Sequence, residues 1–242
     1  MIANPDTCFN AGKQWERFAE ADPYRYILTD AKRGDPQAFW ESGERLVRSE
    51  LVPLVRDRSI QTNLALEIGS GIGRLTLPLA SYFRSTVGVD IAPGMVRKAI
   101  ACARDNGIPN TSFLLISGPE DFLRRAGHYL GRCDLVYSLL VFQHIPALSM
   151  IEDYLHVVRS LLCAKGIAYL QFDTRPATFL YRIKTELPDF LLPRFWRRGI
   201  RRIRRTTPEI TECLHRTGLE IVDEAAPATS YHRYVVRISG HS

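Results

Sequence analysis

The stretch Leu64-Ala-Leu-Glu-Ile-Gly-Ser-Gly-Ile-Gly-Arg-Leu-Thr-Leu-Pro-Leu-Ala80 decides the fold. Its apolar first five residues read as a buried strand, three glycines follow at alternate positions (Gly69, Gly71, Gly73), and a helical pattern begins at once. Glycine has no Cβ, so the backbone can turn tightly there and lie against a flat ligand. Strand, glycine turn and helix in that order outline a nucleotide-binding βα unit. The spacing is G-x-G-x-G, not the G-x-G-x-x-G usual for dinucleotides, which counts against an NAD-dependent oxidoreductase. Glu67, ahead of the first glycine, suits a ligand that carries an ammonium group.

Outward from this unit, residues 60 to 172 alternate strand and helix five times. Strands are expected near 64–68, 86–90, 112–116, 134–138 and 167–172, and helices near 73–83, 93–106, 120–127 and 148–163. This rhythm predicts an α/β fold with a parallel, doubly wound sheet and a ligand site at the carboxyl ends of its strands. Asp90 closes the second strand 17 residues after Gly73, about the offset at which such sites place a carboxylate for ribose hydroxyls. Residues 173–206 break the rhythm. It resumes with a helix over 208–217 and strands over 219–224 and 232–238. Residues 1–58 read as a helical extension, broken at Pro23, with one apolar face along 37–56.

Four segments in order resemble the motifs of class I S-adenosylmethionine-dependent methyltransferases of the small-molecule type. They are the opening stretch, Ser85-Thr-Val-Gly-Val-Asp-Ile91, Cys133-Asp-Leu-Val-Tyr-Ser-Leu-Leu-Val-Phe-Gln-His-Ile-Pro146, and Leu161-Leu-Cys-Ala-Lys-Gly-Ile-Ala-Tyr-Leu-Gln-Phe172. In the last, Ala164-Lys165-Gly166 stands where the family has a Pro-Gly-Gly turn. The resemblance covers residues 60 to 238. It implies a Rossmann-like, seven-stranded, mostly parallel sheet over 59–242, its last two strands an antiparallel hairpin, with 1–58 as an N-terminal lid and 173–206 as a helical insertion capping the substrate. The cofactor it implies is S-adenosyl-L-methionine, leaving S-adenosyl-L-homocysteine as product.

On this resemblance Gly69, Ser70, Gly71 and Gly73 pass under the cofactor's methionine part, Glu67 holds its ammonium group, and Asp90 takes the ribose. Ile91 and Met95 pack on the adenine, with Ser138 and Leu139 at the end of the fourth strand. The adenine end departs from the family's G-D-A-E-x-L: here Ser117-Gly-Pro-Glu-Asp-Phe122 puts Gly118 where the Asp would stand. Gly118, Pro119 and Glu120 flank that position. Glu120 or Asp121 takes over there, the backbone serves alone, or both acids cap the helix that follows.

The loop Ser138 to Pro146 lacks the N/D-P-P-Y/F/W and Pro-Cys signatures of common nucleic-acid methylators. Gln143 and His144 are its polar residues, and an imidazole near pKa 6.5 can take a proton from a hydroxyl. His144 is therefore the candidate general base, although the same residues also start a helix in the family. Substrate candidates are Trp15, Tyr24 and Tyr26 in the extension, Gln143 and His144, Asp173 and Arg175 after the fifth strand, Arg201 and Arg202 in the insertion, and Tyr231 and His232 near the last. Leu192, Phe195, Trp196, Ile200 and Ile203 fall on one helical face opposite arginines, an arrangement suited to an anion clamp, a membrane surface or solvent.

Composition narrows the classes. The 242 residues carry a formal charge of +6, and seven arginines fall within residues 194–205. A protein that grips a long nucleic acid spreads its charge more widely, so no DNA partner is expected and RNA is disfavoured. No apolar run approaches the ~20 residues of a membrane span, and the first ten residues do not resemble a signal peptide. The five cysteines contain no C-x-x-C pair, and no metal site is visible. The expectation is a cytoplasmic monomer or homodimer that methylates a small-molecule acceptor, anionic if the arginines hold it, on oxygen first and nitrogen second. Rivals are an RNA methylator, a C-methylator of an isoprenoid or polyketide intermediate, and a non-catalytic relative.

Overall fold

The central strands are nearly continuous apolar runs, and because successive side chains point to opposite faces, both faces of one sheet are buried. The structure, a computed structural model, describes residues 5–27, 35–179, 181, 187–192 and 202–240. Strands β1 (Leu64–Ile68), β2 (Ser85–Asp90), β3 (Thr111–Leu115), β4 (Cys133–Ser138), β5 (Leu162–Phe172), β6 (Leu219–Ala225) and β7 (His232–Ile238) form a seven-stranded sheet ordered β3-β2-β1-β4-β5-β7-β6. The first five are parallel, and β7 runs antiparallel to both β5 and β6, as expected. The order reverses between β1 and β4, and a crevice opens at such a switch point.

Leu64, Leu66, Ala168 and Leu170 face a core shared with helices α7 (Pro119–Arg125), α8 (Leu148–Leu161) and α9 (Thr207–Arg216). Ala65, Leu135, Tyr137 and Ile167 face the other side, under α5 (Thr76–Leu79) and α4 (Val52–Asp57). Helix α6 (Pro93–Asp105) covers the β2–β3 edge through Val96 and Ala99. The extension supplies α1 (Pro5–Ala21), α2 (Pro23–Ile27) and α3 (Pro36–Leu46). Between α3 and α4 the helix widens to a π turn over Val47–Leu51. Pro53 lacks an N–H and its ring crowds the preceding carbonyls, which accounts for a wider turn just before it.

Three expectations need correction. The helix expected at 73–83 shrinks to Thr76–Leu79, because Gly71 and Gly73 hold left-handed backbone and Pro78 removes a donor. The turn expected at 164–166 lies inside β5 as an irregularity: pairing with β4 jumps from Cys133↔Leu162 to Leu135↔Ile167. The helix expected to reach Ile203 does not include 202–206, which are irregular. Phe195, Trp196, Ile200 and Arg201 lie outside the described residues.

One buried acid fastens the site-bearing strands at their start. Asp134 Oδ2 accepts the N–H groups of Asn63 (2.8 Å) and Leu64 (3.0 Å), and the side chain is 4% exposed. Replacing Asp134 with Ala orphans both donors, and we expect a loss of about 2–4 kcal/mol in urea unfolding; a loss below 1 kcal/mol contradicts the role.

Candidate active site

At the end of β1 the chain doubles back over β2. The N–H groups of Gly69 and Ser70 both donate to the Val89 carbonyl, at 2.7 and 3.0 Å. Gly69 and Gly71 then take φ of +76° and +54°, where a side chain is strained. Space is equally short: a Cβ on Gly69 would stand 2.2 Å from Val141, and one on Gly71 2.7 Å from Ile27. Asp90 fixes the turn. Its Oδ2 accepts from Gly71 N–H (2.8 Å) and its Oδ1 from Ala92 N–H (2.9 Å). Burial pushes its carboxyl above the usual range, and the bonds from Ala92 and Gly71 pull it back. Each oxygen keeps a second lone pair, so the group can still accept from a ligand hydroxyl.

Gly69, Gly71 and Asp90 line one open-mouthed cavity. Ile91, Met95 and Leu139 add apolar wall, Trp15 enters from α1, and His144 lines it from the loop after β4. The Trp15 and His144 rings meet edge to face at 5.5 Å. Gln143 Nε2 lies 3.4 Å from His144 Nε2. Sequence reasoning passed over Leu140, Met150 and Tyr154 on the same wall. Nothing flags them, since apolar residues at helical spacing read as core; Leu140 is marked only by its φ of +64°, a conformation typical of strained functional loops.

Other expected residues lie behind this wall. Glu67 is buried and faces away from the cavity, accepting from Thr76 Oγ1 and from the Tyr137 hydroxyl at 3.2 Å. Burial pushes its carboxyl up to about 8 against the pull of Thr76 and Arg74. Ser70 Oγ is buried with no partner among the described residues. Gly73 packs against Leu77 and Phe113, and Ser138 donates to the Ile68 carbonyl at 3.0 Å. Gly118, Pro119 and the exposed Glu120 are absent from the lining, although Ile116 just before them is present. Asp121 accepts from Ser117 N–H and is paired with Arg124 and Arg125, which hold its carboxyl down near 2. It caps its own loop.

Tyr24 packs on Phe39 and Tyr26 stacks on Phe18 within the extension. Gln143 is buried, and its backbone carbonyl accepts from Ile203 N–H. Asp173 pairs with Arg175 at 2.5 Å, and Arg202 lies over the Tyr231 ring at 5.7 Å. His232 is fully buried between Thr174 and Glu224, and burial lowers its pKa. None of these lines the cavity, and no described arginine from 202–205 does. Among the described residues no cluster suits a metal ion. Nor does any described cysteine line the cavity; burial raises Cys133 to about 12 and Cys213 to about 11, which removes thiolate character at neutral pH.

Residues 66–168 match the methyltransferase domain family. The 23S rRNA (uracil(1939)-C(5))-methyltransferase of Edwardsiella ictaluri is 41% identical over 61 residues, 25% of this chain and 14% of that protein. Its namesake from Shewanella sediminis is 31% identical over 114 residues, 46% of this chain and 25% of that protein. The chain thus spans a quarter or less of the length of these curated relatives. Among solved structures, magnesium protoporphyrin IX methyltransferase from Synechocystis PCC 6803, with bound S-adenosylhomocysteine, is 21% identical with a TM-score of 0.67, covering 96% of this chain and 98% of that one. The CcbJ methyltransferase of Streptomyces caelestis is 17% identical with a TM-score of 0.64, covering 95% and 99%. At these identities the structural likeness is one of fold.

Two outcomes test the geometry. Gly69→Ala adds a Cβ where φ and Val141 both oppose it, so affinity for a ligand seated there should fall about tenfold or more; wild-type titration by calorimetry contradicts the cradle. Glu67 has a folded pKa above its unfolded ~4.3, so its neutral form favours folding below about pH 4 and that advantage drains away as pH rises to about 8. Glu67→Gln escapes this loss. Its urea-unfolding free energy should gain on wild type by up to about 1.4 kcal/mol per pH unit over this window, then level off; a gap independent of pH contradicts the burial.

Proposed function

We propose that this chain, which has the fold of class I S-adenosylmethionine-dependent methyltransferases and matches a methyltransferase domain over residues 66–168, binds S-adenosylmethionine in this cavity and methylates a small-molecule acceptor, on oxygen first and nitrogen second. The observation that carries the reading is the turn at Gly69 and Gly71, a cavity floor with no room for a Cβ, tied to Asp90. Asp90 would take the ribose hydroxyls through its remaining lone pairs, and Ile91 and Met95 the adenine. Glu67 stands behind the loop, and an ammonium group arriving on the cavity side would favour its ionised form. Bound there, the cofactor supplies a methyl group on a positively charged sulfur, so the protein chiefly aligns and excludes water.

The residues that line the cavity suit that task. Trp15 of α1 and Ile27 of α2 line the cavity, which supports reading 1–58 as a lid that would exclude water. His144 reaches the cavity and would accept the proton that an acceptor hydroxyl loses on methylation. This is why oxygen comes first: a neutral amine needs no base before it attacks. The lining is mostly apolar, which favours an apolar or aromatic acceptor with one polar handle over a highly charged one. RNA methylation is the second reading, since both rRNA relatives share sequence with this chain. It is weakened by the raised cysteine pKa values and by a basic segment whose described arginines are turned to other partners.

The reading predicts that S-adenosylhomocysteine binds by calorimetry and NADH does not; binding of NADH alone overturns it. With a working acceptor, His144→Ala should lower kcat by about 10²–10⁴ without weakening cofactor affinity, and an unchanged kcat removes the base.

A further inference from the structure

One carboxylate fastens helix α1 to the turn that follows Asp90. Glu16 Oε2 accepts from Gly94 N–H at 2.5 Å, and Glu16 Oε1 accepts from Arg97 Nη2 at 2.9 Å. Gly94 is the second residue of α6, whose N-cap is Ala92 and whose first residue is Pro93. Neither carries a side-chain oxygen, so α6 cannot cap itself. The orphan N–H of Gly94 is met instead from another helix, where a negative charge suits the dipole of α6. The approach is close: a Cβ on Gly94 would stand 3.0 Å from both Ala19 Cβ and Glu16 Oε2. Phe18 and Ala19 of α1 are buried in one cluster with Ala92 and Met95.

Both partners of this contact carry cavity wall. Ala11 and Trp15 line the cavity from α1, and Asp90, Ile91 and Met95 line it from the segment that Glu16 grips. Asp90 holds that segment through Ala92 N–H, and Glu16 holds it through Gly94 N–H. The two acids are neighbours: burial first, and the Glu16 charge in smaller part, raise the Asp90 carboxyl. Exposure decides which half of the contact matters. The Arg97 side chain is 68% exposed, so water and salt screen its ion pair. Glu16 is 24% exposed, and its bond to Gly94 is the sheltered half.

We infer that Glu16 is a positioning residue for the cofactor: by capping α6 from α1, it holds Ala11 and Trp15 in fixed relation to Asp90, Ile91 and Met95. Glu16 itself does not line the cavity. The inference rests on the proposed binding of S-adenosylmethionine there. When the cap is lost, α1 spends time undocked, and apparent cofactor affinity falls by the fraction of molecules still docked. Saturating cofactor draws the wall back, so the effect belongs to KM and not to kcat.

The test pairs Glu16→Ala with Glu16→Gln. Alanine keeps α1 helical but removes the acceptor, whereas glutamine keeps an oxygen for Gly94 N–H. Without ligand, amide hydrogen exchange over residues 11–21 should quicken about tenfold in Glu16→Ala, while β1, β2 and β4 exchange as in wild type. Calorimetry with S-adenosylhomocysteine should give an affinity about tenfold weaker in Glu16→Ala and less than about threefold weaker in Glu16→Gln. The KM for S-adenosylmethionine should rise in step, with kcat unchanged. Arg97→Gln should shift affinity by no more than about threefold. If Glu16→Ala unfolds, Glu16→Asp, whose carboxylate falls one methylene short of Gly94, takes its place with the same expectations. Wild-type exchange over α1, wild-type affinity, or equal losses in the two Glu16 variants would each overturn the role of Glu16 alone. A wild-type protein that binds no S-adenosylhomocysteine overturns the methyl-transfer reading, and this inference with it.

Discussion

Two backbone N–H groups, those of Gly71 and Ala92, converge on one carboxylate, and the candidate site exists because of that convergence. Asp90 sits at the end of β2 in a place that burial makes costly for a charge. Two bonds to a charged acceptor, each contributing about 1.5–3 kcal/mol, offset much of that cost. In return the carboxylate fixes the crossing of two chain segments, the glycine turn after β1 and the start of α6 after β2. Without it the loop has no reason to hold left-handed backbone at Gly71, and the cavity loses its floor.

The far wall is held by packing. Phe142 and Phe172 stack with centroids 5.2 Å apart, and Tyr234 closes edge-on against Phe172 at 5.8 Å. This aromatic run supports the turn that carries Leu140 and His144, so a non-glycine residue can persist at positive φ there. The exit of the insertion grips the same turn: Ile203 N–H donates to the Gln143 carbonyl, and Arg205 to those of Ile145 and Pro146, both on the cavity wall.

Much of this was legible in the sequence, for identifiable reasons. Central strands announce themselves because burial on both faces demands apolar runs, and β7 falls on the expected 232–238. The glycine turn and Asp90 were legible because few other residues fulfil those backbone and charge requirements. The orientation of Glu67 was not, since its neighbours Thr76 and Tyr137 are distant in sequence. Tyr154 and Met150 escaped because a residue on an apolar helix face looks the same whether it meets core or ligand. The arginines misled in part: charge in a sequence suggests anions, yet Arg204 and Arg205 are used up on backbone carbonyls. The stunted α5 shows glycine and proline overriding an apolar helical pattern.

The account comes down to whether unhindered main chain between β1 and β2 is the seat of a sulfonium-bearing nucleoside. A crystal structure grown with S-adenosylhomocysteine answers this directly. The account predicts ligand density over Gly69 and Gly71 with ribose hydroxyls on Asp90. Density elsewhere, with Trp15 still closing an empty cavity beside that turn, would contradict it.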